Sequence, residues 1–236
     1  MALAKGTATA LLSGVLGGAL LIAGTAGATM AAPPKVEPPE VKPLQVILAD
    51  KPVPVTFTVK SDGVNVTLHL QSEEKPSFTR DLTGTQSGDT WTFHTMVKLR
   101  DPLGFWSVTP TATGADNSTT VGRASSLSVI APTRFLPFTA HPRVVRKGHP
   151  VFAFGRLQAK IRGRWQGIAG QKVDIRIFDE IKSVTTNRRG FFAGSVKASG
   201  TSQIDASFQA AGHFQGALSG FSVGPIVITV IDHPKK

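Results

Sequence analysis

The sequence predicts an all-β protein: two tandem immunoglobulin-like β-sandwiches that follow a signal peptide and a Pro-rich spacer. Three observations carry this reading. Strand-length apolar runs alternate with polar residues at period two, and after the leader no sustained stretch places apolar residues at i, i+3, i+4 and i+7. Glycine (24) and proline (16) are frequent along the chain and punctuate those runs, as turns do in an all-β domain. Charged residues make up only 17% of the chain, so much of the polar surface must be Thr, Ser, Asn and Gln, and β-branched Thr favours strands.

A length of 236 residues allows two domains of about 100 residues each plus a leader. The chain has no cysteine, which excludes disulfides, thiolate metal sites, Cys nucleophiles and a lipidated N-terminal Cys. An exported protein without disulfides is stabilised by its cores alone, so each domain is expected near full size.

Residues 1–28 read as a secretory signal peptide: Lys5 supplies the charge, an apolar stretch spans 8–23, and Ala26-Gly27-Ala28 is a small-x-small cleavage site. Gly14, Gly17, Gly18 and Gly24 dilute the hydrophobicity and no basic flank follows, which argues against an uncleaved anchor. No second apolar span appears later. Residues 29–43 hold Pro33, Pro34, Pro38, Pro39 and Pro43, and predict an extended spacer.

The first domain is placed at 44–132. Val53, Val55, Phe57 and Val59 form one apolar face, and Val64, Val66, Leu68 and Leu70 the next, across the turn Ser61-Asp62-Gly63. Trp91, Phe93, Thr95, Val97 and Leu99 follow the turn at Ser87-Gly88-Asp89, and Leu127, Val129 and Ile130 make a last run. The stretch from Thr90-Trp91-Thr92 through Asp101-Pro102-Leu103-Gly104-Phe105-Trp106 to Asp116-Asn117 resembles bacterial immunoglobulin-like domains of secreted actinobacterial proteins. That resemblance implies a fold more than a function.

The second domain is placed at 133–236. Gly155-Arg156-Leu157, Gly163-Arg164-Trp165 and Gly170-Gln171-Lys172-Val173 are similar to the G-x-L…G-x-W…G-x-x-V pattern of carboxypeptidase-regulatory or transthyretin-like sandwiches. The run from Thr185 to Phe192 looks like a hairpin of the same group, and the resemblance implies a non-catalytic accessory module. Asp174 to Phe178 and Ile204, Ala206 and Phe208 read as half-buried strands.

Charge is unevenly divided. Residues 44–132 carry 7 basic and 8 acidic side chains, whereas residues 133–236 carry 16 and 5. The basic clusters Arg143, Arg146 and Lys147, then Lys160, Arg162 and Arg164, then Arg188 and Arg189, are the candidate polyanion contacts. Trp165, in the Gly-flanked basic hairpin, is the candidate ligand contact, while Trp91 and Trp106 fit the core. No basic helix and no Tyr accompany the charge, so nucleic acid is not the expected partner.

Other chemistry is weaker. Gly220-Phe221-Ser222-Val223-Gly224 matches a nucleophile elbow, but a strand-like run follows where a helix is needed, and only Asp232 and His233 remain downstream. His69 and His94 are candidate cross-strand neighbours, but a metal site wants three or four ligands. Asp116-Asn117 and Asp179-Glu180 lack Ca²⁺-loop spacing. No catalytic residues, metal site or cofactor are assigned. The expected function is a secreted or wall-associated, non-catalytic module that docks on an anionic cell-wall polymer or glycan through its basic second domain, with anionic lipid headgroups as a related target. The alternative is a carbohydrate- or protein-binding accessory to a separate extracellular enzyme.

Overall fold

Period-two burial organises the chain into strands in a computed structural model, which describes residues 32–231. The first half contributes β1 (Glu40–Lys42), β2 (Gln45–Ile47), β3 (Val53–Lys60), β4 (Asn65–Ser72), β5 (Thr79–Thr83), β6 (Thr85–Ser87), β7 (Thr90–Val97), β8 (Gly104–Thr113), β9 (Thr119–Val121) and β10 (Ser125–Ile130). Sheet β1-β3-β7-β6 faces sheet β2-β10-β8-β4-β5, with β9 beside β8. Val55, Phe57 and Val59 of one sheet meet Leu68, Leu70, Trp106 and Leu127 of the other, and all are buried. Val64 departs from the expected face: it is exposed in the turn before β4.

The second half contributes β11 (Thr133–His141), β12 (Val144–Arg146), β13 (Pro150–Ile161), β14 (Arg164–Gly167), β15 (Lys172–Ile177), β16 (Glu180–Thr185), β17 (Phe191–Lys197), β18 (Ser202–Phe208), β19 (Ala217–Leu218), the short helix α1 (Ser219–Val223) and β20 (Ile226–Ile231). The long β13 pairs β11 along one edge and both β14 and β17 along the other. The opposing sheet runs β12-β20-β18-β15-β16. Phe135, Leu157 and Phe192 pack against Ile175, Ile204 and Ile228 across the gap. Both halves share one plan. The first strand pairs antiparallel with the third (β1–β3, β11–β13), and the short strand after it pairs parallel with the last (β2–β10, β12–β20). Two facing sheets, antiparallel except for that one parallel pair, make each half an immunoglobulin-like sandwich. Among the described residues no helix is long and apolar enough to cross a membrane.

Two sequence expectations are corrected. The described part of the proposed spacer is not free chain: β1 pairs with β3, Val41 is buried, and Val36 bridges Ser61. Pro39 and Pro43 flank an edge strand, where a missing N–H costs nothing to the sheet. The run from Thr185 to Phe192 is not a hairpin either, because β16 pairs with β15 while β17 pairs with β13. That connection crosses from one sheet to the other. The signal-peptide residues 1–28 lie outside the described residues.

The two sandwiches are joined tightly. Only Ala131 and Pro132 separate β10 from β11. Ala131 is buried, its N–H donates to the His213 carbonyl at 2.8 Å, and its own carbonyl accepts from Gln215 N–H at 2.9 Å. Leu103 of the first sandwich packs against both cores, and Lys160 forms an ion pair with Asp50.

Candidate functional site

The outward face of the sheet built on β13 concentrates the unusual chemistry. Along β13 the inward positions are small or aliphatic: Val151, Ala153, Gly155, Leu157 and Ala159 are buried. The outward positions are Phe152, Phe154, Arg156, Gln158 and Lys160, so strand alternation puts the large rings on the solvent side. The inward positions stay small because Phe192 of β17 fills the space above Gly155, where an added Cβ would lie 2.7 Å from its ring.

Small neighbours on β17 leave the outward rings of β13 uncovered. Phe154 stands opposite Ala193 and Thr139, and Phe152 opposite Ser195 and His141. Phe152 is 59% exposed, Phe154 48% and Phe191 42%. The Arg156 guanidinium lies 5.1 Å from the Phe191 ring centre, and its Nε donates to the Arg189 carbonyl at 2.9 Å. Further along, Arg134 Nε donates to Gln158 Oε1 at 3.0 Å and its guanidinium sits 4.0 Å above the Trp165 ring. Trp165 is therefore half-buried under Arg134, with Lys160 Nζ 5.6 Å from the ring, and is not the freely exposed contact expected. With the three phenylalanines only about half exposed, each forfeits roughly half of the ~1.5–3 kcal/mol that full burial brings. Contiguous exposed apolar surface of this kind marks an interaction site.

Electrostatics single out the same face. None of β11, β13, β14 and β17 carries an Asp or Glu, while they carry Arg134, Arg156, Lys160, Arg164 and Lys197. The described carboxylates of this sandwich, Asp174, Asp179, Glu180 and Asp205, all belong to β15, β16, β18 or the turn between β15 and β16. There the groove between β18 and α1, about 540 Å³, sets Arg176 beside its cross-strand neighbour Asp205, so charge is balanced.

The basic residues proposed from sequence do not converge on one point. Arg143, Arg146 and Lys147 are exposed between β11 and β13, at one end of the sandwich. Arg162 and Arg164 stand at the opposite end of β13, about 35 Å away at strand rise. Lys160 has a side chain only 14% exposed and is committed to Asp50. Arg188 and Arg189 lie in the β16–β17 crossing, where Arg189 meets Arg156. Spacing along the sequence does not single out Arg134, Arg156, Phe152, Phe154 or Phe191. The signal was present: once Val151, Ala153 and Gly155 face inward, Phe152 and Phe154 must face out.

The remaining candidates separate. His69 hydrogen-bonds Asp81 at 2.6 Å in one sheet, and His94 hydrogen-bonds Thr56 at 3.1 Å in the other, so the two histidines are not neighbours. Ser222 sits within α1 and its Oγ accepts from Phe135 N–H at 3.2 Å, so no strand–Ser–helix elbow forms. Asp232 and His233 lie outside the described residues. Asp116 closes its own turn: the Ser118 hydroxyl and N–H donate to Oδ1, which holds the carboxyl below its ordinary value. Asp179 accepts from Ser199 Oγ at 3.3 Å.

No protein-family model matches the chain, and no curated protein matches it. Solved structures similar to it include a 1.5-MDa bacterial ice-binding adhesin, with 13% identity over 86% of this chain and 66% of that chain (TM-score 0.32). The adhesin InvE of Yersinia pseudotuberculosis shows 12% identity over 84% of this chain and 59% of that chain (TM-score 0.33). The fibronectin(III)-like modules of Clostridium thermocellum CbhA show 12% identity over 84% and 98% (TM-score 0.38). The chain thus spans less than two thirds of each of the two adhesin chains. The sandwich assignment rests on its own strand pairing.

Proposed function

We propose that this chain is an extracellular, non-catalytic binding module whose second sandwich docks on an anionic glycan polymer of the cell envelope. One observation carries the reading: the β11-β13-β17 face combines exposed Phe152, Phe154 and Phe191 with Arg134 and Arg156 and carries no carboxylate. Pyranose rings present flat C–H faces to aromatic rings, while guanidinium groups pair with the acid groups of the polymer. The leader-like residues 1–28 support an extracellular location. Residues 44–132 would then act as the support and 133–236 as the binding unit.

The test is retention on purified acidic envelope polysaccharide at about 0.1 and 1 M salt, over which the Debye length falls from about 10 Å to about 3 Å. Retention is expected to fall steeply with salt. Phe152→Ser with Phe154→Ser is expected to weaken binding at least about tenfold, since each ring loses about 1 kcal/mol or more of burial, with the melting temperature unchanged. Tighter binding to duplex DNA or to anionic lipid vesicles than to the glycan, or full binding by the double variant, contradicts the proposal.

A further inference from the structure

A second site stands where the two sandwiches meet, at the tip of the β13–β14 hairpin. Ile161 pairs with Arg164, so the loop is the two residues Arg162 and Gly163. Their φ angles are +54° and +78°, the geometry of a type I′ turn. That geometry favours Asn or Gly at both positions, and an arginine there holds a left-handed conformation at a cost. The tip touches the first sandwich: a Cβ on Gly163 would lie 3.7 Å from Leu99, one residue before Arg100.

A concavity of about 640 Å³ opens at this contact, lined by Arg100 of the first sandwich and by Ile161, Arg162, Arg164 and Gln166 of the second. Its volume falls within the range of about 300–1,000 Å³ typical of small-ligand sites. Among the described residues, none of the three arginines forms an ion pair. Three carboxylates lie close by, and each faces another partner: Glu74 lies 3.5 Å from His213 Nε2. Asp50 is paired with Lys160, and Asp101 accepts from Arg80 at 3.1 Å and from Lys98 N–H at 2.8 Å. Three guanidinium groups line one hollow, and none of them is neutralised by an ion pair among the described residues, although Glu74 and Asp101 line the neighbouring hollow with Arg100 and Arg162.

We infer that this pocket binds a phosphoryl group, with Arg100, Arg162 and Arg164 as its ligands and Gln166 as a neutral donor. A tetrahedral, multiply charged oxyanion presents enough acceptors for several guanidinium forks at once, where a single carboxylate serves one. Because Arg100 comes from the other sandwich, the bound group also ties the two domains together. The site is separate from the aromatic face and does not depend on that reading.

The test uses the full chain with two probes, inorganic pyrophosphate and poly(glycerol phosphate), read by calorimetric titration and by thermal shift. Both the free diphosphate and the phosphodiester chain carry the required group, and the tighter binder identifies the natural source. Arg100→Gln and Arg164→Gln are expected to weaken binding at least about tenfold each, as loss of charge-assisted hydrogen bonds does. Arg146→Gln, at the far end of β13, and Phe152→Ser with Phe154→Ser should bind pyrophosphate as the native chain does. Arg162→Asn should melt at the same or a higher temperature without ligand, because Asn tolerates the turn, and yet bind weakly. Binding of neither probe, undiminished binding by Arg100→Gln, or equal weakening by Arg146→Gln and Arg164→Gln would overturn the assignment.

Discussion

Replacing Trp106 with alanine is expected to destabilise the first sandwich by about 3–5 kcal/mol, the range for loss of a large buried aromatic. The ring is fully buried in β8, and its Nε1 donates to the Pro102 carbonyl at 3.0 Å, which fixes the turn before the strand. Phe78 tilts against it at 5.0 Å between ring centres. The Arg80 guanidinium lies 5.8 Å from the Trp106 ring and donates to Thr95 Oγ1, the Met96 carbonyl and Asp101. Truncation therefore leaves a cavity and also loosens the tie between β5, the end of β7 and the β7–β8 turn. A domain of ordinary stability, about 5–15 kcal/mol, would lose a large part of it. Scanning calorimetry should show the corresponding transition lowered by more than about 10 °C. Trp106→Phe should cost less, because a ring remains to fill most of the space.

Gly190→Ala is expected to damage the second sandwich by about 2–5 kcal/mol, combining a left-handed backbone with overpacking. Gly190 has φ +82°, and an added Cβ would lie 2.5 Å from the Leu157 carbonyl oxygen and 2.7 Å from Gly167 Cα. Both obstacles are backbone, so no side chain can swing aside. The glycine is also bonded on both sides: its carbonyl accepts from Leu157 N–H at 2.9 Å, and its N–H donates to the Asn187 carbonyl at 2.9 Å. Asn187 Oδ1 accepts from the N–H groups of Arg189 and Phe191, so the whole sheet crossing is organised around this turn. A shift here displaces Phe191 and Arg189 from Arg156. Urea unfolding should show a lower midpoint, and glycan retention should weaken along with it.

Strand alternation makes much of the fold legible in the sequence. Val55, Phe57 and Val59, or Ile175 and Ile177, announce a buried face because every second residue is apolar. Partner choice was less legible. The turn chemistry of Thr185-Thr186-Asn187 fits a hairpin as well as a sheet crossing, and only long-range pairing of β17 with β13 decides between them. Prolines in 33–43 mark a lack of donors, which an edge strand and a free spacer share. For the site, charge counts located the basic half but not the face. The lysines and arginines that cluster in sequence stand at opposite ends of β13, and Lys160 is spent on Asp50. Arg134 and Arg156, isolated in sequence, are the ones held among the rings by cross-strand register. Arg100 joins Arg162 and Arg164 only through the packing of one sandwich on the other.

The most direct measurement is backbone amide exchange, resolved by segment, with and without saturating acidic envelope polysaccharide. The ligand is expected to slow exchange in β11, β13 and β17 and to leave β15, β18 and β20 unchanged, since these belong to the opposite sheet. Slowing confined to β15, β18 and β20, or to the first sandwich, would contradict the claim that the carboxylate-free aromatic face is the binding surface.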